Sequence, residues 1–273
     1  MITKMQLYEE LLENSKVKLD SFLEKYPKHE TQLEFNEINK KCLEKIYDEL
    51  RLEEKILPRT ELTEQIDNLK PTCSSCMKHY FSPRNRSAKI LDIKLGKKFE
   101  EVFVDFLNFK GIKSKQFEKG TPLPYPDIEI LDEKDEIVAR CEIKYMSAPF
   151  LLIYKKYPGR ECYESSNTLD VGDKIKRQRK FVEEEIDVPV FYVYWLDYPC
   201  IKGVFYMDSE NVYKYIDSVG GEEFERKERE GDFVKDKDGG KKKLAQTKKI
   251  YLPLYSMKNF NQLFDELKEL IGN

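Results

Sequence analysis

Acidic and basic side chains bracket a predicted β-hairpin near the middle of the chain. Residues 126–130 and 137–144 are rich in strand-forming apolar residues, and the stretch between them is almost entirely charged, as is typical of an exposed turn. Side chains alternate between the two faces of a strand, so Glu142 and Lys144 share a face. Pairing the two strands can therefore bring Asp127 to the same place.

These three residues suit the hydrolysis of phosphodiesters. The carboxylates of Asp127 and Glu142, with the main-chain carbonyl of Ile143, offer the hard oxygen ligands that Mg²⁺ prefers. Bound Mg²⁺ makes a water molecule more acidic and stabilises charge on the phosphorus. The ammonium group of Lys144 can orient or deprotonate that water and offset the developing negative charge. We therefore expect a metal-dependent hydrolytic site at this hairpin.

The same residues resemble the PD-(D/E)xK nuclease superfamily, in which Pro-Asp is followed by an acidic residue, any residue and lysine. Here Pro126-Asp127 and Glu142-Ile143-Lys144 carry the pattern, and Gly96-Lys97-Lys98-Phe99-Glu100 fits the helix that precedes the hairpin in the superfamily. The resemblance covers residues 90–210. It implies an α/β fold with a restriction endonuclease-like core, a mixed central sheet flanked by helices. It also implies one or two Mg²⁺ ions and a supporting acidic role for Glu100.

Gln178 is a further candidate because of its position on a predicted helix over residues 170–185. It lies on the apolar stripe between Ile175 and Val182, so the helix is expected to turn it inward. A buried amide needs a hydrogen-bond partner. The resemblance assigns such a residue to the site, whereas a core glutamine bonded to the backbone is the alternative.

The pattern of elements divides the chain into an N-terminal helical region, residues 1–85, and a catalytic domain, residues 86–273. The helical region can serve as a dimerisation element, a target-recognition arm or a packing layer over the sheet. A charged insertion at 220–249 is expected to form a β-hairpin or a mobile loop. Helices are predicted over residues 2–25, 31–55, 61–69, 170–185 and 209–216, and strands over 112–117, 188–196, 201–207 and 250–255.

A Cys-x-x-Cys motif, Cys73 and Cys76, lies at a predicted turn near the end of the helical region. Such a pair is half of a structural zinc site. Cys42 and His79 can supply two more ligands, and His29 is also available. The chain has no second paired motif, so ordinary reduced thiols are the alternative to a structural Zn²⁺.

The composition is that of a soluble globular protein, with 40% hydrophobic and 36% charged residues. No stretch is apolar over the roughly twenty residues of a membrane helix, and the start becomes acidic too early for a signal peptide. We therefore expect a cytoplasmic protein without membrane contact. The net charge is −3, but basic residues cluster before the hairpin, after it and near the end of the chain. Such clusters can bind phosphates or be solvated faces.

Together these features predict a Mg²⁺-dependent DNA endonuclease, in particular a type II restriction enzyme. The expected partner is double-stranded DNA, and a homodimer would cut both strands of a palindromic site. Two alternatives remain open. One is a structure-selective nuclease that acts on Holliday junctions or in repair. The other is a DNA- or protein-binding module without catalytic activity.

Overall fold

The computed structural model of this 273-residue chain describes residues 4–24, 33–81, 89–117, 126–171, 173–219, 224–225, 233–235, 241–243 and 248–272. They form an α/β fold whose central sheet is mixed and flanked by helices. The helices are α1 (Lys4–Leu23), α2 (Glu37–Cys42), α3 (Arg59–Gln65), α4 (Leu69–Phe81), α5 (Lys89–Phe109), α6 (Asp173–Glu185), α7 (Ser209–Ser218) and α8 (Phe260–Gly272). The strands are β1 (Ser114–Gln116), β2 (Ile128–Leu131), β3 (Ile137–Met146), β4 (Asn167–Asp170), β5 (Val190–Asp197), β6 (Lys202–Asp208), β7 (Phe224–Glu225), β8 (Phe233–Lys235), β9 (Lys241–Lys243), β10 (Lys248–Leu252) and β11 (Lys258–Asn259).

The central sheet has the order β1-β2-β3-β5-β6-β11. Only the pair β3 and β5 is parallel; the other neighbours run antiparallel. A parallel pair needs a long crossover connection, and α6 lies in it. The predicted turn between β2 and β3 is held by Asp132, whose side chain accepts hydrogen bonds from the main chain of Lys134 and Glu136.

The sheet separates two apolar cores, because successive side chains of a strand point to opposite faces. All eight residues of β5 are buried, as predicted for a central strand. Phe191, Val193 and Trp195 pack with α1, α5 and α8 on one face. Tyr192 and Tyr194 lie on the other face, in the core that includes α6 and α7. We call these the α5 face and the α6 face.

The N-terminal helices belong to these same cores. Leu7 and Leu11 of α1 are buried in the core of the α5 face. Lys110 at the end of α5 forms an ion pair with Glu10 at 2.8 Å, and Lys18 pairs with Asp105. The predicted helices over residues 2–25 and 61–69 are confirmed in type, whereas the helix predicted over 31–55 begins only at Glu37. It continues as a π-helical segment, Leu43–Leu50.

The Cys-x-x-Cys motif does not lie at a turn, and that prediction is wrong. Cys73 and Cys76 are within α4, which runs through the whole motif. Pro71 does not break this helix, because it occupies the first turn of α4, where a missing N–H has no helical partner to lose. The turn lies before α4 instead, at Asn68 with a φ of 65°.

Two further elements differ from the sequence pattern. The helix predicted over residues 170–185 begins only at Asp173, because Asp170 is the last residue of β4, which pairs with β10 in a second sheet of order β4-β10-β7. The strand predicted over residues 250–255 corresponds to β10, which ends at Leu252 because Pro253 follows it. Within the described part of the charged insertion, β8 and β9 pair antiparallel, which agrees with the β-hairpin, one of the two forms expected there. None of the helices in the described ranges has the length and apolarity needed to span a bilayer.

A fully buried ion pair closes the β5–β6 hairpin. Lys202 and Asp197 are both 0% exposed, and the Lys202 ammonium lies 2.5 Å from the Asp197 carboxylate. That carboxylate also accepts a hydrogen bond from the Tyr145 hydroxyl at 2.8 Å. A buried charge that loses its partner is strongly destabilising.

Replacing Lys202 by methionine should lower the free energy of unfolding by about 3–5 kcal/mol, because the Asp197 carboxylate stays buried without its ammonium partner. Urea denaturation measures this change. The double variant Lys202→Met with Asp197→Asn should recover part of the loss. Lys45→Met removes a surface pair with Glu49 and should change stability little. Equal losses in the Lys45 and Lys202 variants would contradict the expected result.

Candidate active site

The β2–β3 pairing brings Asp127 and Glu142 together on the α6 face. Ile128 is opposite Cys141 in the antiparallel register, so the preceding Asp127 is level with Glu142. The Asp127 Oδ2 accepts a hydrogen bond from the main-chain N–H of Ile143 at 3.1 Å. Asp127 is only 7% exposed and Glu142 only 2%. Two nearly buried carboxylates therefore share one end of the hairpin.

Lys144 lies on the same face of β3 and contacts Glu142. Its Nζ is 3.2 Å from Glu142 Oε1, and its side chain is 23% exposed, so the ammonium group links the buried carboxylate to the protein surface. Burial lowers the pKa of Lys144, but the negative charges of Glu142, Asp127 and Asp170 outweigh it and raise the pKa overall. Lys144 is therefore charged at neutral pH.

Gln178 contacts the site directly. It is 1% exposed on α6, and its Nε2 donates a hydrogen bond to Glu142 Oε2 at 2.9 Å. Its Oε1 accepts one from the Tyr192 hydroxyl at 3.0 Å. The amide predicted to face inward thus bonds to a site carboxylate and a tyrosine, not to the backbone. One oxygen of Glu142 is held by Lys144 and the other by Gln178.

Glu100 is on α5, the helix that covers the opposite face of the sheet. It is partly buried and follows Phe99, whose ring stacks on Tyr145 at a centroid distance of 3.5 Å. Tyr145 is the residue after Lys144. Glu100 is thus on a helix that packs against the site strand, and its role as a supporting acidic residue stays a prediction.

The donor set around the hairpin fits Mg²⁺ better than it fits zinc. Asp127 and Glu142 are hard oxygen donors, and Mg²⁺ is commonly bound by one or two carboxylates together with waters. Among the described residues, no group of three or more His, Cys, Asp or Glu side chains is arranged to hold a metal ion. Asp127, Glu142 and the Ile143 carbonyl are the groups at this hairpin that could hold a Mg²⁺ ion, and their role as its ligands stays a prediction.

The structure describes four of the five residues considered for zinc, namely Cys42, Cys73, Cys76 and His79. Cys42, Cys73 and Cys76 are free thiols. Burial raises the pKa of both Cys42 and Cys76 to about 12, so both are neutral thiols at neutral pH in the metal-free protein. The His79 ring packs edge-on against Tyr80, and His29 lies outside the described residues. The prediction of a structural zinc site gains no support from this geometry.

Asp170 borders the site and was not expected there. It ends β4, and its carboxylate pairs with Lys249 of β10 at 2.9 Å. Two residues earlier, the Thr168 hydroxyl contacts the Met146 sulfur at the end of β3, at 4.0 Å. The pairing of β4 with β10 joins segments eighty residues apart, so no local sequence pattern indicates it.

Replacing Lys144 by methionine should lower the free energy of unfolding of the metal-free protein by on the order of 1–3 kcal/mol, because Glu142 loses a buried partner. The pKa of Lys144 is raised in the folded protein. The stability that Lys144 contributes is therefore complete below the ordinary pKa of lysine and is lost only as the pH rises through the pKa of the folded state. Urea denaturation at pH 8 therefore measures it in full. Lys180→Met on the exposed side of α6 is the matched control, and equal stability of both variants would contradict the expectation.

Comparison of the chain with protein-family models and with curated proteins returned no match. A functional proposal therefore depends on the residues and geometry of this chain, above all on Asp127, Glu142 and Lys144.

Proposed function

We propose that the protein is a Mg²⁺-dependent endonuclease of the PD-(D/E)xK type that cuts double-stranded DNA, and that it acts as a type II restriction enzyme. One observation carries the proposal. Two nearly buried carboxylates, Asp127 and Glu142, share one face of a β-hairpin with an ammonium group, Lys144 Nζ, which lies 3.2 Å from Glu142. Burying two acidic side chains next to each other costs free energy unless a metal ion, an opposite charge or hydrogen bonds compensate their charge.

Each residue has a distinct part in this proposal. Asp127, Glu142 and the Ile143 carbonyl would hold the Mg²⁺ ion. When bound, Mg²⁺ supplies Lewis-acid stabilisation of the phosphate and lowers the pKa of its water. Lys144 orients the attacking water and offsets negative charge on the phosphate. Gln178 holds the Glu142 carboxylate in place, and Glu100 is the proposed supporting acidic residue.

The order of elements supports a restriction endonuclease-like core. Helix α5 is followed by β1, β2 and β3, then, after the short strand β4 of the second sheet, by α6 and β5. The candidate residues lie at the second and third strands, and Gln178 is on the helix after them. This is the arrangement that the PD-(D/E)xK resemblance implies for residues 90–210.

Exposed basic residues support DNA as the substrate. The total charge is −3, so attraction to a polyanion depends on local fields. The helix that carries Gln178 presents an exposed basic side, and α5 and β1 add further exposed lysines. These residues are Lys97, Lys115, Lys176, Arg177 and Lys180. Lysine and arginine at such positions bind DNA phosphates. A homodimer would supply one site for each strand of a palindromic sequence.

Incubation of the purified protein with supercoiled plasmid and Mg²⁺ should yield linear DNA, and EDTA should abolish the reaction. Asp127→Ala should lose cleavage, since it removes a metal ligand. Lys144→Ala should slow it by about 10²- to 10⁴-fold, the range of a lost general acid–base group. Lys214→Ala removes an exposed lysine of α7 and should cleave like the wild type. Cleavage that persists in EDTA, or in Asp127→Ala, would refute the proposed mechanism.

Mapping the ends of the products decides the substrate class. Ends at one short fixed sequence in every plasmid are expected for a restriction enzyme. A four-way DNA junction and a linear duplex of matched sequence provide the comparison. Preferential cutting of the junction at unrelated sequences would replace restriction with structure-selective cleavage. Absence of any cleavage in Mg²⁺ would favour a binding module.

A further inference from the structure

A chain of buried hydrogen bonds connects α7 to the Glu142 carboxylate. The hydroxyls of Tyr213 and Tyr192 lie 3.2 Å apart. Tyr192 in turn is 3.0 Å from Gln178 Oε1, and Gln178 Nε2 is 2.9 Å from Glu142 Oε2. All four side chains are buried. Three consecutive contacts therefore join a helix on the α6 face to a candidate metal ligand.

The available donors and acceptors fix the direction of each hydrogen bond in this series. An ionised carboxylate can only accept, so Gln178 must present its NH₂ group to Glu142 and its oxygen to Tyr192. Tyr192 therefore donates its one hydroxyl hydrogen to Gln178. Tyr213 must consequently donate to Tyr192. Every hydrogen bond in the chain points towards Glu142, and bonds aligned in this way strengthen one another.

The outer end of the chain is held by charged side chains. The Arg179 guanidinium lies over the Tyr213 ring, 5.1 Å from its centroid. Arg179 also makes a two-pronged ion pair with Asp217 of α7, with distances of 2.6 and 2.9 Å. In the middle of the hydrogen-bond chain, burial raises the pKa of Tyr192 well above its ordinary value, so its phenol keeps the hydrogen that it donates to Gln178. The series of hydrogen bonds is thus held between α6 and α7, and the Tyr192 phenol stays protonated.

We propose that Tyr192 is a positioning residue that acts through Gln178 to hold the Glu142 carboxylate in the orientation that binds a divalent cation. This inference rests on the proposed function of the site. Glu142 is fixed from two sides, by Lys144 at one oxygen and by Gln178 at the other. Without the Tyr192 hydroxyl, the buried Gln178 oxygen loses its donor, and the amide is free to turn away from Glu142.

The Tyr192→Phe variant tests the inference, because it removes one hydroxyl and keeps the ring. Mn²⁺ affinity, measured from the electron paramagnetic resonance signal of the free ion, should weaken about tenfold or more, as for other residues that orient metal ligands. The Mg²⁺ concentration for half-maximal plasmid cleavage should rise in step, whereas the affinity for DNA should not change. Unaltered Mn²⁺ affinity in the folded variant would overturn the inference.

Gln178→Met tests the same link from its other end, since methionine keeps the side-chain length but neither donates to Glu142 nor accepts from Tyr192. It should weaken Mn²⁺ binding at least as much as Tyr192→Phe. Because Tyr192 acts through Gln178, the double variant should bind Mn²⁺ no more weakly than Gln178→Met alone. If the losses of Mn²⁺ affinity in the two single variants multiply in the double variant, the inference is overturned. If Tyr192→Phe does not fold, the Mn²⁺ affinity of Gln178→Met still tests the inference.

Two further tyrosine variants complete the test. Tyr213→Phe removes the outermost donor of the hydrogen-bond chain and should weaken Mn²⁺ binding less than Tyr192→Phe does, because Tyr192 can still donate to Gln178. Tyr198→Phe removes a hydroxyl from the same apolar core and should have no effect on Mn²⁺ affinity. If Tyr198→Phe weakens Mn²⁺ binding as much as Tyr192→Phe, core packing explains the loss and the inference fails.

The outcomes separate this inference from the proposed function. A wild-type protein that binds Mn²⁺ through Asp127 but cleaves no DNA would refute the nuclease, while the effect of Tyr192→Phe on affinity would still support the positioning role. A wild-type protein that cleaves DNA while Tyr192→Phe binds Mn²⁺ and cleaves normally would refute the positioning role alone. A wild-type protein that binds no Mn²⁺ would overturn both.

Discussion

The burial of the Glu142 carboxylate is the constraint on which the site depends. A charged group almost removed from water needs hydrogen bonds and an opposite charge close by. Glu142 obtains both, from Lys144 two positions along the same strand and from Gln178 on the helix that crosses over it. The register of the hairpin adds Asp127 beside it. The contacts that stabilise the buried carboxylate also bring together Asp127, Glu142 and Lys144, the residues on which the proposed phosphodiester hydrolysis depends.

The two faces of the central sheet are built differently. The α5 face is closed by aromatic packing, in which Phe99 and Phe103 pack around Trp195. The α6 face mixes apolar side chains with buried hydroxyls, amides and charges, and Tyr192 connects Gln178 to the next helix. A rigid apolar layer thus supports the strands from one side. The polar layer on the other side determines where the site side chains point.

Local sequence patterns predicted the elements with strong periodicity. The apolar run of β5, the charged turn after β2 and the inward position of Gln178 all agree with the structure. In each, neighbours within a few residues decide the conformation or the face. One wrong prediction concerns Cys73 and Cys76, whose helix begins before Pro71. The other concerns Asp170, which is predicted within a helix but ends β4, a strand that the sequence did not predict and that pairs with β10. The residues of β4 do not indicate a strand by themselves, because their conformation depends on pairing with β10, which is distant in the sequence.

The residue order alone specified that Glu142 and Lys144 share one face of a strand, because alternation along a strand is a property of the backbone. It also specified that Asp127 precedes a hairpin. Folding in three dimensions added the partners that come from distant segments, namely Gln178 above Glu142, Tyr192 behind Gln178, and Asp170 at the border of the site. These contacts depend on how helices and strands pack across the sheet, and packing is a property of the whole chain rather than of any one segment.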